Sequence, residues 1–264
     1  MEKDTNKAIV VLGVGVRGCL PVKYELDSQI NGVECAYMSF QNELDNSGLD
    51  LSNDSLKFNV QSVNDCKKII DENFKHTNII FVVGYGPLTP CVAKAAKDSG
   101  ILTIGISLSY YEELKAMLKD ASDALISLET RMSFIKDVVE SVANLITKSG
   151  YGFINIEIDD VKNILQDVGT AFIGTGRAKG DNRTKIATLQ AVNMCGEVKN
   201  AKRVLLNVTA GCEVLLAEIS EAAKIIDEVA TSDAQIVWGH IIDENMGNEV
   251  QVTFIAGMDD KKDL

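Results

Sequence analysis

Short apolar runs punctuated by glycine dominate the first half of the chain. Residues 8–12, 78–83 and 101–106 are β-branched and nearly uninterrupted, the pattern of strands buried on both faces. The first opens into Gly13-Val-Gly-Val-Arg-Gly18 and the second breaks at Gly84-Tyr-Gly86. Residues 33–39 and 124–128 read as further strands, and 41–54, rich in Asn, Asp, Ser and Gly, as a loop. Apolar spacing predicts helices over 63–74, 90–99 and 111–120, with Gly100 placed to end the second. Buried strands alternating with helices predict an α/β fold, a Rossmann-like parallel sheet covered on both faces.

Residues 134–148 place apolar side chains at 134, 135, 138, 139, 142, 145 and 146, one face of an amphipathic helix. This predicts a domain over 1–133, a central helix over 134–149 and a second domain over 150–264. In the last, helices are expected over 160–168 and 215–230, and strands over 204–209, 235–242 and 249–256. The final strand alternates polar and apolar residues, as a half-exposed antiparallel strand does. The C-terminal domain is therefore expected to be a smaller α+β unit with a mixed sheet.

A net charge of −12, from 38 acidic and 26 basic residues, disfavours binding to nucleic acid or directly to an anionic membrane. The six cysteines stand singly with no CxxC spacing and read as small buried hydrophobes in a reducing cytoplasm. Two histidines leave no basis for a His-centred triad or metal centre. The polar segment Met1–Lys7 does not read as a signal peptide, and no apolar run approaches the roughly 20 residues of a membrane span. The expectation is a cytoplasmic protein.

Three segments carry candidate chemistry. Gly13-x-Gly15-x-x-Gly18 follows a strand and fits a phosphate-binding turn, with Pro21 expected at the first position of the next helix. Arg17 sits within it, either against a phosphate or filling its place. No acidic residue follows the second strand, where the chain reads Ser39-Phe-Gln-Asn42, so a simple packing turn remains the alternative. The second segment runs from Gly84 to Pro90, placed for anion binding by backbone N–H groups, with Gly84, Gly86 and Thr89 as candidate contacts. Its two prolines remove donors, and the other reading is a rigid connection with Thr89 capping the helix. The third holds Asn155, Glu157 and Asp160. Alternation projects the first two to one side, and Asp160 enters a helix. Carboxylates so grouped hold Mg²⁺ through water or orient an attacking water, or else act as helix N-terminal acids.

From Phe153 to Met258 the chain resembles FtsZ. The matching blocks are Asn-Ile-Glu-Ile-Asp-Asp-Val-Lys (155–162), Gly-Thr-Ala-Phe-Ile-Gly-Thr-Gly-Arg-Ala-Lys-Gly-Asp-Asn-Arg (169–183) and Val-Leu-Leu-Asn-Val-Thr-Ala-Gly (204–211). Glu-Ile-Ser-Glu-Ala-Ala-Lys-Ile-Ile (218–226) and the run 245–256 complete them. The resemblance implies a tubulin-like fold with a nucleotide-binding first domain, GTP/GDP and Mg²⁺ as cofactors, and self-association into head-to-tail polymers or dimers. A second FtsZ-family protein is a further partner of that kind. It also implies Asn155 and Asp160 as catalytic-loop residues, with Glu157 in place of the usual Asp. In this family the loop of one subunit completes the GTP site of the next.

The first half matches that family in layout only. Gly13, Gly15 and Gly18 stand in the first loop, but the signature Gly-Gly-Gly-Thr-Gly-Thr-Gly becomes a shortened Gly-Tyr-Gly-Pro-Leu-Thr-Pro (84–90). The guanine-contacting Asn falls on Thr130 or its neighbours and the base-binding Asp on Ser133, with Asp137 one helical turn away. The sequence ends at Leu264, without the linker and terminal peptide by which FtsZ reaches membrane-tethering partners. Each lost charge-assisted bond to phosphate costs about 1.5–3 kcal/mol. Three readings follow: a polymerising GTPase, a non-catalytic assembly protein with a degenerate pocket, or an α/β protein binding another phosphorylated ligand.

Overall fold

The computed structural model describes residues 8–26, 30–40, 43, 47–51, 56–128, 134–147, 154, 156–195, 199 and 201–259. Two compact units divide the chain, Met1–Ala143 and Asn144–Leu264. The division falls within helix α5 (Phe134–Thr147), whose Ile135, Val138, Val139, Val142 and Leu145 are buried at the predicted spacing.

Unit 1 runs β1 (Ile9–Val14), α1 (Gly15–Leu26), β2 (Val33–Phe40), β3 (Lys57–Val60), α2 (Asp65–Asn73), β4 (Ile79–Gly84), α3 (Leu88–Asp98), β5 (Leu102–Ser107), α4 (Glu112–Ala121) and β6 (Ala124–Ser127). The strands lie in the order β3-β2-β1-β4-β5-β6 and all pair in parallel. Every residue of β1, β4 and β5 is buried, as their unbroken apolar runs require. One core joins Val10, Leu12, Ile80 and Val82 to Ile70 of α2, Val92 and Ala96 of α3, and Leu118 of α4. None of α1 belongs to that core. The chain steps one way from β1 to β2 and the other way from β4 to β6, and right-handed crossovers then put α1 on the opposite face.

Two local features depart from expectation. Helix α1 begins at Gly15, directly at the end of the strand, so Pro21 lies inside the helix instead of at its start. Gly15 makes this possible by turning the backbone at φ +68°. Strand β3 is not anticipated, because Lys57-Phe-Asn-Val is too short and too polar to show a period.

Beneath β6, buried Asp123 accepts the Thr103 N–H at 2.8 Å and pairs with Lys97 Nζ at 3.1 Å. It thereby ties β5 and the last turn of α3 to the start of β6.

Unit 2 contains α6 (Ile158–Leu165), β7 (Gly169–Lys179), α7 (Arg183–Cys195), β8 (Arg203–Ala210), α8 (Leu216–Val229), β9 (Gln235–Ile242) and β10 (Glu249–Gly257). The sheet order is β7-β10-β8-β9; β10 is antiparallel to both neighbours and β8 is parallel to β9, which makes the sheet mixed. Lying between two strands and packed by α7, β10 is buried from Val252 to Gly257, more fully than its alternating sequence predicts. Helix α7 packs on β7 at the level of the backbone. A methyl added at Gly174 would strike the Ala191 carbonyl, and one at Gly176 the Ala187 carbonyl.

Arg183, opening α7, grips Glu218 with two hydrogen bonds of 2.9 and 3.1 Å and donates a third of 3.1 Å to the Asn248 carbonyl. Glu218 in turn accepts the Leu215 N–H at 3.0 Å, so one carboxylate joins the starts of α7 and α8. The Arg183 hydrogen bond holds the Glu218 carboxyl below its ordinary 4.5.

Asp123→Ala is expected to cost about 2–3 kcal/mol, since it removes a buried acceptor and a charge partner together. Asp123→Asn, which keeps an acceptor for Thr103, should cost less. An unchanged urea midpoint for both would remove the role assigned to Asp123. For Glu218, a depressed folded pKa means stability that is present above 4.5 and lost as pH falls through the lower folded value. Glu218→Gln should accordingly destabilise at pH 7 and flatten the acid side of the stability–pH curve. Parallel curves for variant and wild type would contradict this.

Candidate functional site

The strand order reverses between β1 and β4. In open parallel sheets that reversal leaves a crevice at the carboxyl ends of the two strands, because their connections leave to opposite faces. Val14 pairs with Gly84, so the β1–α1 and β4–α3 connections emerge side by side.

The glycines predicted as phosphate contacts divide into two kinds. Gly13 and Gly18 are packing residues. A Cβ on Gly13 would lie 2.8 Å from Cys19 Cα, and one on Gly18 would strike the Val83 carbonyl. They let α1 lie directly on β1 and β4. Gly15 and Gly86 face open space, with nothing within 4 Å of an added Cβ. Gly84 is pressed against the Thr89 side chain.

Thr89 does not cap α3, correcting the alternative reading of that segment. The helix starts at Leu88 with Pro87 in the cap position and no side-chain cap bond. Thr89 is instead buried inside the first turn, and its Oγ1 has no hydrogen-bond partner among the described residues.

Arg17 projects from the first turn of α1 and is exposed. Its guanidinium stands 4.7 Å above the ring of Tyr85, in the β4–α3 connection. The Tyr85 ring meets Tyr111 edge-on at 6.4 Å and 78°. Tyr111 precedes α4, and its N–H donates to Ser109 Oγ at 3.0 Å. Three connections, after β1, β4 and β5, thus meet through one stack. The sequence singles out neither tyrosine, because only the fold reveals that these connections adjoin. Nearby Cys19 is no nucleophile: burial pushes its thiol up to about 12.

In unit 2, Glu157 is the N-cap of α6 and Asp160 stands in its first turn. Asp160 Oδ2 accepts the Glu157 N–H at 2.8 Å, while the Glu157 side chain is exposed. Apolar anchors set this approach. Ile156 is buried against Gly239, and His240 N–H donates to the Ile154 carbonyl at 2.8 Å. Asn155, Thr130 and Ser133 lie outside the described residues, and Asp137 is an exposed residue of α5.

The cysteines are more varied than expected. Cys19, Cys66 and Cys195 are buried, Cys35 and Cys91 half-buried, and Cys212 exposed. No described helix is long and apolar enough to cross a membrane. Among the described residues no three His, Cys, Asp or Glu side chains group as metal ligands.

Residues 169–259 match the family model for the C-terminal domain of the FtsZ family. A point mutant of FtsZ from M. jannaschii superposes with a TM-score of 0.73 at 21% identity, over 95% of this chain and 91% of the other. An empty FtsZ dimer from M. jannaschii gives 0.71 at 21% identity, over 96% and 88%. At that identity the structures speak for the fold, and the family model speaks for the C-terminal unit. The C-terminal unit thus matches the C-terminal domain of the FtsZ family, and the fold of the chain is similar to that of FtsZ.

Proposed function

We propose that the chain is a self-assembling cytoskeletal or cell-division protein that binds GTP or GDP with Mg²⁺ in the unit 1 crevice. It hydrolyses GTP where the carboxylate loop of one copy meets the crevice of the next. One observation carries this reading: Glu157 and Asp160 stand together at a helix start, anchored by buried Ile156, with the Glu157 carboxylate turned outward. An exposed acid on a fixed apolar base is suited to act on another molecule. The residues of unit 1 fit a phosphate ligand. Gly15 and Gly86 leave backbone accessible, and Arg17 supplies positive charge. Bound Mg²⁺ would neutralise phosphate charge; the chain itself would orient water through Glu157 and Asp160. The contact is heterologous, so it propagates as a polymer or stops at a dimer. A second FtsZ-family protein offering a similar crevice is an alternative partner.

A second reading, assembly without hydrolysis, draws on two observations. Asp160 already serves its own helix as an N–H acceptor, and Tyr85 occupies the connection where a wrapping loop would lie.

Asp160→Asn separates the two, because the amide oxygen still accepts the Glu157 N–H while the charge is lost. The GTPase reading expects GTP-dependent pelleting and turnover in the wild type. It expects turnover in Asp160→Asn to fall about a hundredfold or more with nucleotide affinity unchanged. Pelleting that ignores nucleotide, with no phosphate released by either protein, would replace it by the scaffold reading.

A further inference from the structure

We propose that phosphate in this crevice is held by a side-chain clamp, Arg17 steadied on Tyr85, in place of a wrapping glycine loop. The inference rests on the reading that the crevice takes a phosphorylated ligand, and it says how.

Three observations lead to it. First, Arg17 is the one charged residue that the connections after β1, β4 and β5 offer before Glu112, since residues 8–16, 79–93 and 99–111 carry no charge. Among the described residues it makes no ion pair; its neighbour is a tyrosine ring, 4.7 Å from the guanidinium carbon. A guanidinium lying over a ring uses its face for that contact and keeps its N–H edge free for a planar or tetrahedral oxyanion. Second, Tyr85 is itself supported. Its edge contact with Tyr111, at 6.4 Å, braces it from the β5–α4 connection, where Ser109 fixes the Tyr111 backbone. Third, the β4–α3 connection cannot wrap a ligand. It has only Tyr85, Gly86 and Pro87 between strand and helix, and Pro87 contributes no N–H. Space beside Gly15 and Gly86 leaves the neighbouring surface unfilled.

The clamp recognises a terminal phosphate through paired N–H donors and charge. It reads no base, so the ligand class is polyphosphate-bearing molecules generally. Arg17 is the contacting residue, Tyr85 its positioning residue and Tyr111 the brace.

The test is calorimetric titration of the full chain with GDP, GTP and inorganic tripolyphosphate, each with Mg²⁺. Arg17→Ala should weaken all three at least about tenfold, the scale of a lost charge-assisted contact. Arg17→Lys should recover only part, since a point charge lacks the fork and stacks less well. Tyr85→Leu should weaken binding about two- to fivefold, and Tyr85→Phe, which restores the ring face, should match the wild type. A merely structural Tyr85 would not distinguish ring from aliphatic in this way. If the wild type binds GDP and Arg17→Ala binds it equally, the clamp is wrong and the nucleotide reading stands. Arg17-dependent binding of tripolyphosphate without binding of GDP or GTP supports the clamp and removes the guanine nucleotide. No binding of any probe by the wild type overturns both.

Discussion

The right-handedness of parallel crossovers is the constraint on which unit 1 depends. Once β1 steps one way and β4 steps the other, α1 must cover one face and α2, α3 and α4 the opposite one. The same reversal opens the crevice and sets two connections side by side above it. The glycines follow from this arrangement. Gly18 is a glycine because α1 rests on the Val83 carbonyl, which no side chain permits. A motif that looks like ligand chemistry in one dimension is partly the cost of fitting a helix against two strands. Gly15, with positive φ and open space, is the member of the motif that packing does not explain.

The strands of unit 1 were legible because burial on both faces writes itself as continuous apolar sequence. β3 was not, being an edge strand of four residues with a lysine and an asparagine. Strand β7 and helix α7 also left little trace. Gly174 and Gly176 interrupt any apolar period, yet they mark where α7 touches the strand backbone, and α7 buries small Ala187 and Ala191 with no broad apolar stripe. In both elements the information sits in contacts between distant positions, which periodicity along the chain does not carry. The β10 discrepancy has the same origin: Thr253 is buried because strands flank it on both sides, and a threonine tolerates that.

The candidate site was legible by residue type and incompletely by role. Glu157 and Asp160 were singled out together with Asn155, and these two meet through a backbone N–H that gives Asp160 a helix-capping duty as well. Arg17 was recognised as the odd residue in its turn. Its partner was not, because Tyr85 lies far along the sequence and becomes adjacent only through the pairing of Val14 with Gly84. Aromatic–cation contacts carry no spacing rule of their own. They become visible when topology has already joined the loops.

On the proposed reading, charge acts on ligand capture and on assembly with opposite sign. The clamp concentrates one cation among uncharged loops, and its attraction for phosphate is an interaction of opposite charges that salt weakens. Copies of a chain bearing net charge −12 repel one another at long range, and salt relieves that repulsion. The local pairing of an outward Glu157 with a crevice holding Arg17 gives register more than affinity. Affinity between copies must then come from apolar burial, and unit 2 exposes Leu215 and Leu216 together at the start of α8. The Leu215 N–H is held by Glu218, which is itself held by Arg183. The pair that stabilises unit 2 thus also holds exposed Leu215 in place, which links the acid sensitivity of the fold to the surface available for assembly.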